Sequence, residues 1–195
     1  MSITRSSRAS QGATFFFEQT QSFDAWELRW LLEYWQSLCD DPKCPRLIDV
    51  GLPAIARQAP KIIVRDAIDG GRDFINRFWG SELRVWLGFD GTGQRISEYF
   101  PQHARAAMLD SQRLALTSDL PVRRWGVTAY AQPNPATYEA IDLPLADDDG
   151  VRAHVLSMYV YRADGQRIQP DMAPLPGDTG NALSWSSRSR HSAEP

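Results

Sequence analysis

The residues able to do chemistry in this chain are few and poorly grouped. Cys39 and Cys44 form a Cys-x4-Cys pair, and the histidines are His103, His154 and His191. A structural zinc site needs about four ligands within tetrahedral reach. The Cys-x4-Cys spacing is unusual for one, and no histidine shares a motif with it. The two cysteines therefore read as reduced thiols, one at a helix end and one in the loop after it. A nucleophile needs a positioned histidine or carboxylate beside a serine or cysteine. His154 is the only histidine inside a strand pattern, on the same face as Leu156, Met158 and Val160. That placement predicts a buried, hydrogen-bonded or rim histidine. His103 falls in the first turn of a helix and His191 in the C-terminal tail. Gly88, Gly91 and Gly93 spell G-x-x-G-x-G, but they follow a short helix, whereas a dinucleotide loop runs from strand to helix. They read as turn residues. The expectation is a protein with no catalytic residues, no metal and no enzymatic activity.

What the chain does have is aromatic surface, including seven tryptophans. Trp86, Phe100, Trp125 and Tyr138 fall on elements that would enclose the space between a sheet and its helices. With Met108 and Met158 they form the candidate ligand-binding set. An apolar pocket with a few polar groups is the usual small-molecule site; the plainer reading is that the same residues fill the core outright. A second aromatic set, Trp26, Trp30 and Tyr34, recurs every four residues and lies opposite a leucine stripe on one helix. It is either folded back or amphipathic at the surface, or it is an interface for a partner protein or a second copy.

The elements that must position these residues follow from periodicity. Residues 1–20 are polar apart from the Phe15–Phe16–Phe17 triplet, and predict a disordered arm. Leu28, Leu31, Leu32, Trp35 and Leu38 then mark one face of an amphipathic helix. Asp24 is its expected N-cap, with Glu27 three residues on and Phe23 as a hydrophobic staple; Pro42 lies beyond its end. Strand patterns cover 62–68 and 74–79, joined by the tight Asp69-Gly70-Gly71 turn. A short helix ends at Gly88, and a longer one runs from Pro101 to about Thr117, with Ala104, Ala107, Met108 and Ala115 on one face. Strand patterns at 122–130, 136–143 and 151–161 follow, divided by turns at 132–135 and 147–150. The Pro-, Gly- and Ser-rich residues 164–195 predict a disordered tail. The order gives an α+β domain over residues 21–163: a five-stranded antiparallel sheet with helices on one face and an amphipathic N-terminal helix.

The formal net charge of -3 provides no basic surplus that would argue for nucleic-acid binding. No run of about 18 apolar residues exists to span a membrane, and the Phe triplet is shorter than the roughly 7–15 apolar residues of a signal peptide. Two cysteines make no secreted disulfide framework. The expected location is the cytoplasm.

Several phrases, in order, are similar to one family. LRWLLEYWQSL (28–38), IDVGLPAI (48–55), NRFWGSELRVWLGFDGTG (76–93) and IDLPLADDDGVRAHVLSMYVY (141–161) resemble a bacterial family of stand-alone PAS-domain proteins. The likeness covers residues 23–162. It departs at Asn76, where the family usually has an aromatic residue, and in the Pro-rich 132–135 turn. The resemblance implies a PAS fold in which the strand ending near Tyr161 is central and paired with the one starting near Ile62. It implies a sensory or regulatory role through ligand or protein binding, with output through a separate partner, and it names no ligand. Haem would need a well-placed axial ligand, and His103 sits too near its helix start; no cofactor is expected. The other reading is a small-molecule carrier or storage protein. The expected partners are a protein or a second copy on the N-terminal helix, and a small apolar ligand.

Overall fold

The computed structural model describes residues 5–6, 14–40, 44–128 and 136–163. In chain order the elements are β1 (Arg5–Ser6), β2 (Thr14–Gln19), α1 (Trp26–Leu38), α2 (Leu52–Ile55), β3 (Ile62–Ile68), β4 (Asp73–Trp79), α3 (Ser81–Leu87), α4 (Ile96–Tyr99), α5 (Gln102–Thr117), β5 (Val122–Thr128), β6 (Ala136–Ala146) and β7 (Arg152–Ala163). One antiparallel sheet runs β1-β2-β5-β6-β7-β3-β4. Strand β7 pairs with β6 on one side and β3 on the other, with Met158 opposite both Ile62 and Ile141. This is the central place that the family resemblance implied. The expected tail 164–195 and the 132–135 turn lie outside the described residues.

Among the described residues the sheet has six full strands, not five, and a two-residue strand at its edge. The added strand is β2, from residues expected in the polar arm. Its register on β5 sets Phe16 opposite Trp125 and Glu18 opposite Arg123. Alternation then turns Phe15 and Phe17 into the core, 4% and 5% exposed. Phe16 goes to the other face and stacks on Trp125 with ring centroids 5.7 Å apart. Three consecutive phenylalanines show no period of two, so pattern reading had nothing to detect.

The helices cover both faces of the sheet, not one. Leu28, Leu31 and Leu32 of α1 pack on Ile62, Val64, Ile141, Leu143, Leu156, Met158 and Val160. The alternate residues Ile63, Ala140, Val155, Tyr159 and Tyr161 pack on the opposite side, against α3, α4 and α5. Cover on both faces explains why β6 is buried along nearly its whole length, Glu139 and Asp142 included. Each fully buried leucine of the α1 stripe contributes about 1.5–3 kcal/mol.

The start of α1 is capped from across the fold. Its own first residues provide no side-chain cap. Instead the buried Glu139 carboxylate of β6 accepts hydrogen bonds from the backbone N–H of Asp24 (3.0 Å) and Ala25 (2.8 Å). A carboxylate there also suits the positive end of the helix. Glu27, expected in a capping box with Asp24, pairs with Lys61 at 3.2 Å. Among the described residues, no helix is long and apolar enough to cross a membrane.

Candidate functional site

Between the sheet and α3–α5 lies a cavity of about 80 Å³. Its floor is Ile63, Arg65, Trp79, Tyr138, Tyr159 and Tyr161 from the strands; Leu87, Phe89, Tyr99, Phe100 and Met108 form the roof, and Phe15 of β2 closes one wall. The roof is held by aromatic contacts: Trp79 meets Phe89 in a tilted pair at 5.3 Å and Tyr99 edge-on at 5.8 Å, and Phe15 meets Phe100 edge-on at 6.4 Å. Such pairs add about 0.5–1.5 kcal/mol beyond their buried area. Gly88 closes α3 with a left-handed φ of 76°, as a helix C-cap requires. Gly91 is glycine for another reason. A Cβ there would lie 2.7 Å from the Trp79 ring, which packs directly on the backbone.

The cavity floor carries a fully buried polar network. Arg65 donates from Nε to Asn76 Oδ1 (3.0 Å), from Nη1 to Gln112 Oε1 (3.2 Å) and Ser157 Oγ (3.0 Å), and from Nη2 to Tyr159 OH (3.2 Å). Arg124 donates from Nε and Nη2 to the two oxygens of Asp142, at 2.5 and 2.7 Å, in a bidentate fork. Its Nη2 also donates to Tyr159 OH at 2.7 Å. The Ser157 hydroxyl donates to Asp142 Oδ1 at 2.6 Å and so joins the two arginines. Burial works against the Asp142 charge, but the Arg124 guanidinium and its hydrogen bonds, the Ser157 hydroxyl and Arg65 outweigh it and hold the carboxyl below its ordinary range. Asn76 also donates to the Gly91 carbonyl at 2.9 Å. It therefore ties Arg65 to the turn that packs on Trp79, a job an aromatic residue at that position would not do.

The expected ligand set is divided by the sheet. Phe100, Met108 and Tyr138 line the cavity, and Trp86 stacks on its wall residue Tyr161 at 5.2 Å. Trp125 and Met158 face the other way: Met158 packs in the α1 cluster, and Trp125 lies against Phe16 and under the Arg123 guanidinium at 5.1 Å. Met158 is one position from the cavity-lining Tyr159, and Trp125 one position from Arg124, which reaches the Tyr159 hydroxyl, so both differ from expectation by a single register step. The aromatic ridge of α1 is not a free face either. Tyr34 is buried, stacks on Trp30 at 5.8 Å, and its hydroxyl accepts a hydrogen bond from Gly51 N–H at 3.0 Å. Trp30 packs on the same cluster, and Trp26 is half-buried.

The chemistry-bearing residues lie apart from the cavity. Cys39 donates to the Trp35 carbonyl and Cys44 to the Pro144 carbonyl. Burial raises both thiols, and Cys44 is pushed up to about 11. His154 is half-buried at the rim, its Nδ1 2.7 Å from Asp66 Oδ1, and His103 is exposed. Pattern reading missed Arg65, Arg124, Asp142 and Tyr159. The available signal was a charge set among the apolar residues of a strand, as in IIVRDAI and EAIDLPL.

No family model matches the chain, and no curated protein matches it. Among solved structures, one described as "Structure of an RNA-binding Light-Oxygen-Voltage Receptor" is similar, with 15% sequence identity and a TM-score of 0.39. The likeness covers 56% of this chain and 33% of that one, so the chain spans about a third of that receptor.

Proposed function

We propose that this chain is a non-enzymatic, PAS-type sensory or regulatory domain that binds a small molecule in the cavity under α3–α5 and acts on a separate protein. The observation that carries the reading is the cavity itself: aromatic walls, one buried polar group cluster in its floor, and a sheet in which the last strand is central. Concave, mostly apolar sites with a few converging polar groups are how proteins hold small ligands. Strand β7 offers a route from the cavity to the other face. Tyr159 and Tyr161 line the cavity, while Leu156, Met158 and Val160 carry α1, whose half-buried Trp26 is the contact offered to a partner.

The test is a ligand screen followed by thermal unfolding and hydrogen exchange. A ligand of the folded state present at about 100 times its dissociation constant stabilises by about 2.7 kcal/mol. The compound should be recovered unchanged by mass spectrometry; turnover would refute the non-enzymatic reading. In a sensor, occupancy alters amide protection in α1, on the far side of the sheet. Protection changes confined to the cavity walls would instead favour a carrier or storage protein.

A further inference from the structure

The charges in the cavity floor do not balance. Arg65 and Arg124 are both fully buried, and among the described residues Asp142 is the only carboxylate in their network. Arg124 takes both of its oxygens. Among the described residues, Arg65 makes no ion pair; its partners are an amide oxygen, another amide oxygen and two hydroxyls. An uncompensated buried cation is costly, and it sits in the wall of a cavity.

The donors do not balance either. Nε, both Nη1 hydrogens and one Nη2 hydrogen of Arg65 are used, which leaves an Nη2–H. The Tyr159 hydroxyl accepts from both arginines. Its lone pairs are filled, so its own O–H must point at some other acceptor. Trp79 Nε1 is buried with no hydrogen-bond partner among the described residues. Arg65, Tyr159 and Trp79 all line the same cavity. Three donor groups and a surplus positive charge ask for an anionic acceptor, while Phe15, Phe100 and Tyr138 offer apolar walls beyond it.

We infer that the cavity binds a small organic carboxylate: the carboxylate lies on Arg65, Tyr159 and Trp79, and a short apolar tail lies against the aromatic walls. This rests on the proposal above that the cavity is a ligand site, and goes further by stating the ligand's charge and size. A cavity of about 80 Å³ suits an acid of a few carbons. Asn76 has a part in it, because its side chain holds Arg65 Nε and the Gly91 carbonyl at once. Charge recognition is thereby coupled to the turn whose Gly91 packs on the Trp79 ring.

Isobutyrate and its uncharged isostere isobutyramide are the probes, titrated into the full chain with chloride at matched ionic strength as the control ion. Binding is read from the indole N–H resonances in proton–nitrogen spectra, with the Trp79 signal assigned by its loss in Trp79→Phe. Isobutyrate should shift that resonance saturably and bind about ten- to a hundredfold more tightly than the amide, as charge-assisted hydrogen bonds imply. Trp79→Phe, which keeps the ring, and Arg65→Lys, which keeps the charge but loses the fork, should each weaken isobutyrate binding and leave isobutyramide binding little changed. Equal affinity for acid and amide, or an equal shift with chloride, overturns the inference but leaves the cavity as a ligand site. If neither probe moves any cavity resonance, the cavity reading falls with it. Should Arg65→Lys fail to fold, the acid–amide comparison on the unaltered chain still decides.

Discussion

Asp142→Asn changes one oxygen to an amide and leaves the shape of the side chain intact, so it isolates the charge at the centre of the buried network. In the native chain Asp142 Oδ2 accepts from Arg124 Nε at 2.5 Å, and Oδ1 accepts from Arg124 Nη2 at 2.7 Å and Ser157 Oγ at 2.6 Å. An asparagine keeps one acceptor and turns an NH2 towards a donor. One charge-assisted bond is lost, a donor meets a donor, and two fully buried guanidiniums remain without a counter-charge. Breaking a buried pair from one side costs about 3–5 kcal/mol. Against a total of about 5–15 kcal/mol for a domain, that is a large share. With a urea slope of about 2–3 kcal/mol/M, the unfolding midpoint at pH 7 should fall by about 1.5 M. The pH dependence follows from the lowered carboxyl value, which Arg124, Ser157 and Arg65 maintain against burial. A carboxyl depressed in the folded state stabilises fully above its unfolded value of about 3.9, and loses that contribution as pH falls through the folded value. The gap between native chain and variant should therefore be flat from about pH 5 to 8 and narrow below about pH 4. A loss under about 1 kcal/mol at neutral pH, the level of an exposed pair, would refute the reasoning. So would a gap that does not narrow in acid.

Phe15→Ala should cost about 3–5 kcal/mol in chemical unfolding, because Phe15 is a buried wall of the cavity; an unchanged midpoint would mean that β2 is not part of the folded sheet. Gly91→Ala should destabilise by about 1–3 kcal/mol, since the new Cβ meets the Trp79 ring at 2.7 Å, and the Trp79 fluorescence should shift with it. Cys44, pushed up to about 11 by burial, should alkylate with iodoacetamide at pH 8 far more slowly in the folded chain than in urea, by mass spectrometry; equal rates would show that the thiol is not shielded.

Much of this architecture is legible in the sequence by itself. The leucine stripe of α1 carries its own period, and the helix occurs where the stripe predicts it. The strands β3, β4, β5, β6 and β7 arise from local alternation and turn residues, and the central place of β7 follows the resemblance of several phrases to one family. Phe100, Met108 and Tyr138 line the cavity because each falls on an element that encloses the space between sheet and helices, a placement legible from the element order. The rest required the third dimension. Strand β2 is held by pairing with β5, about a hundred residues away in sequence, and three adjacent phenylalanines contain no alternation to reveal which of them turn inward. Trp125 and Met158 have the right residue types but the wrong face, a matter of register that only the neighbouring strand decides. The cap of α1 comes from Glu139, and the network of Arg65, Arg124, Asp142 and Tyr159 joins β3, β5, β6 and β7. A charge within an apolar strand is visible in the sequence. Whether it has a partner depends on which strands lie side by side, because burial makes the charge depend on contacts that sequence spacing does not encode.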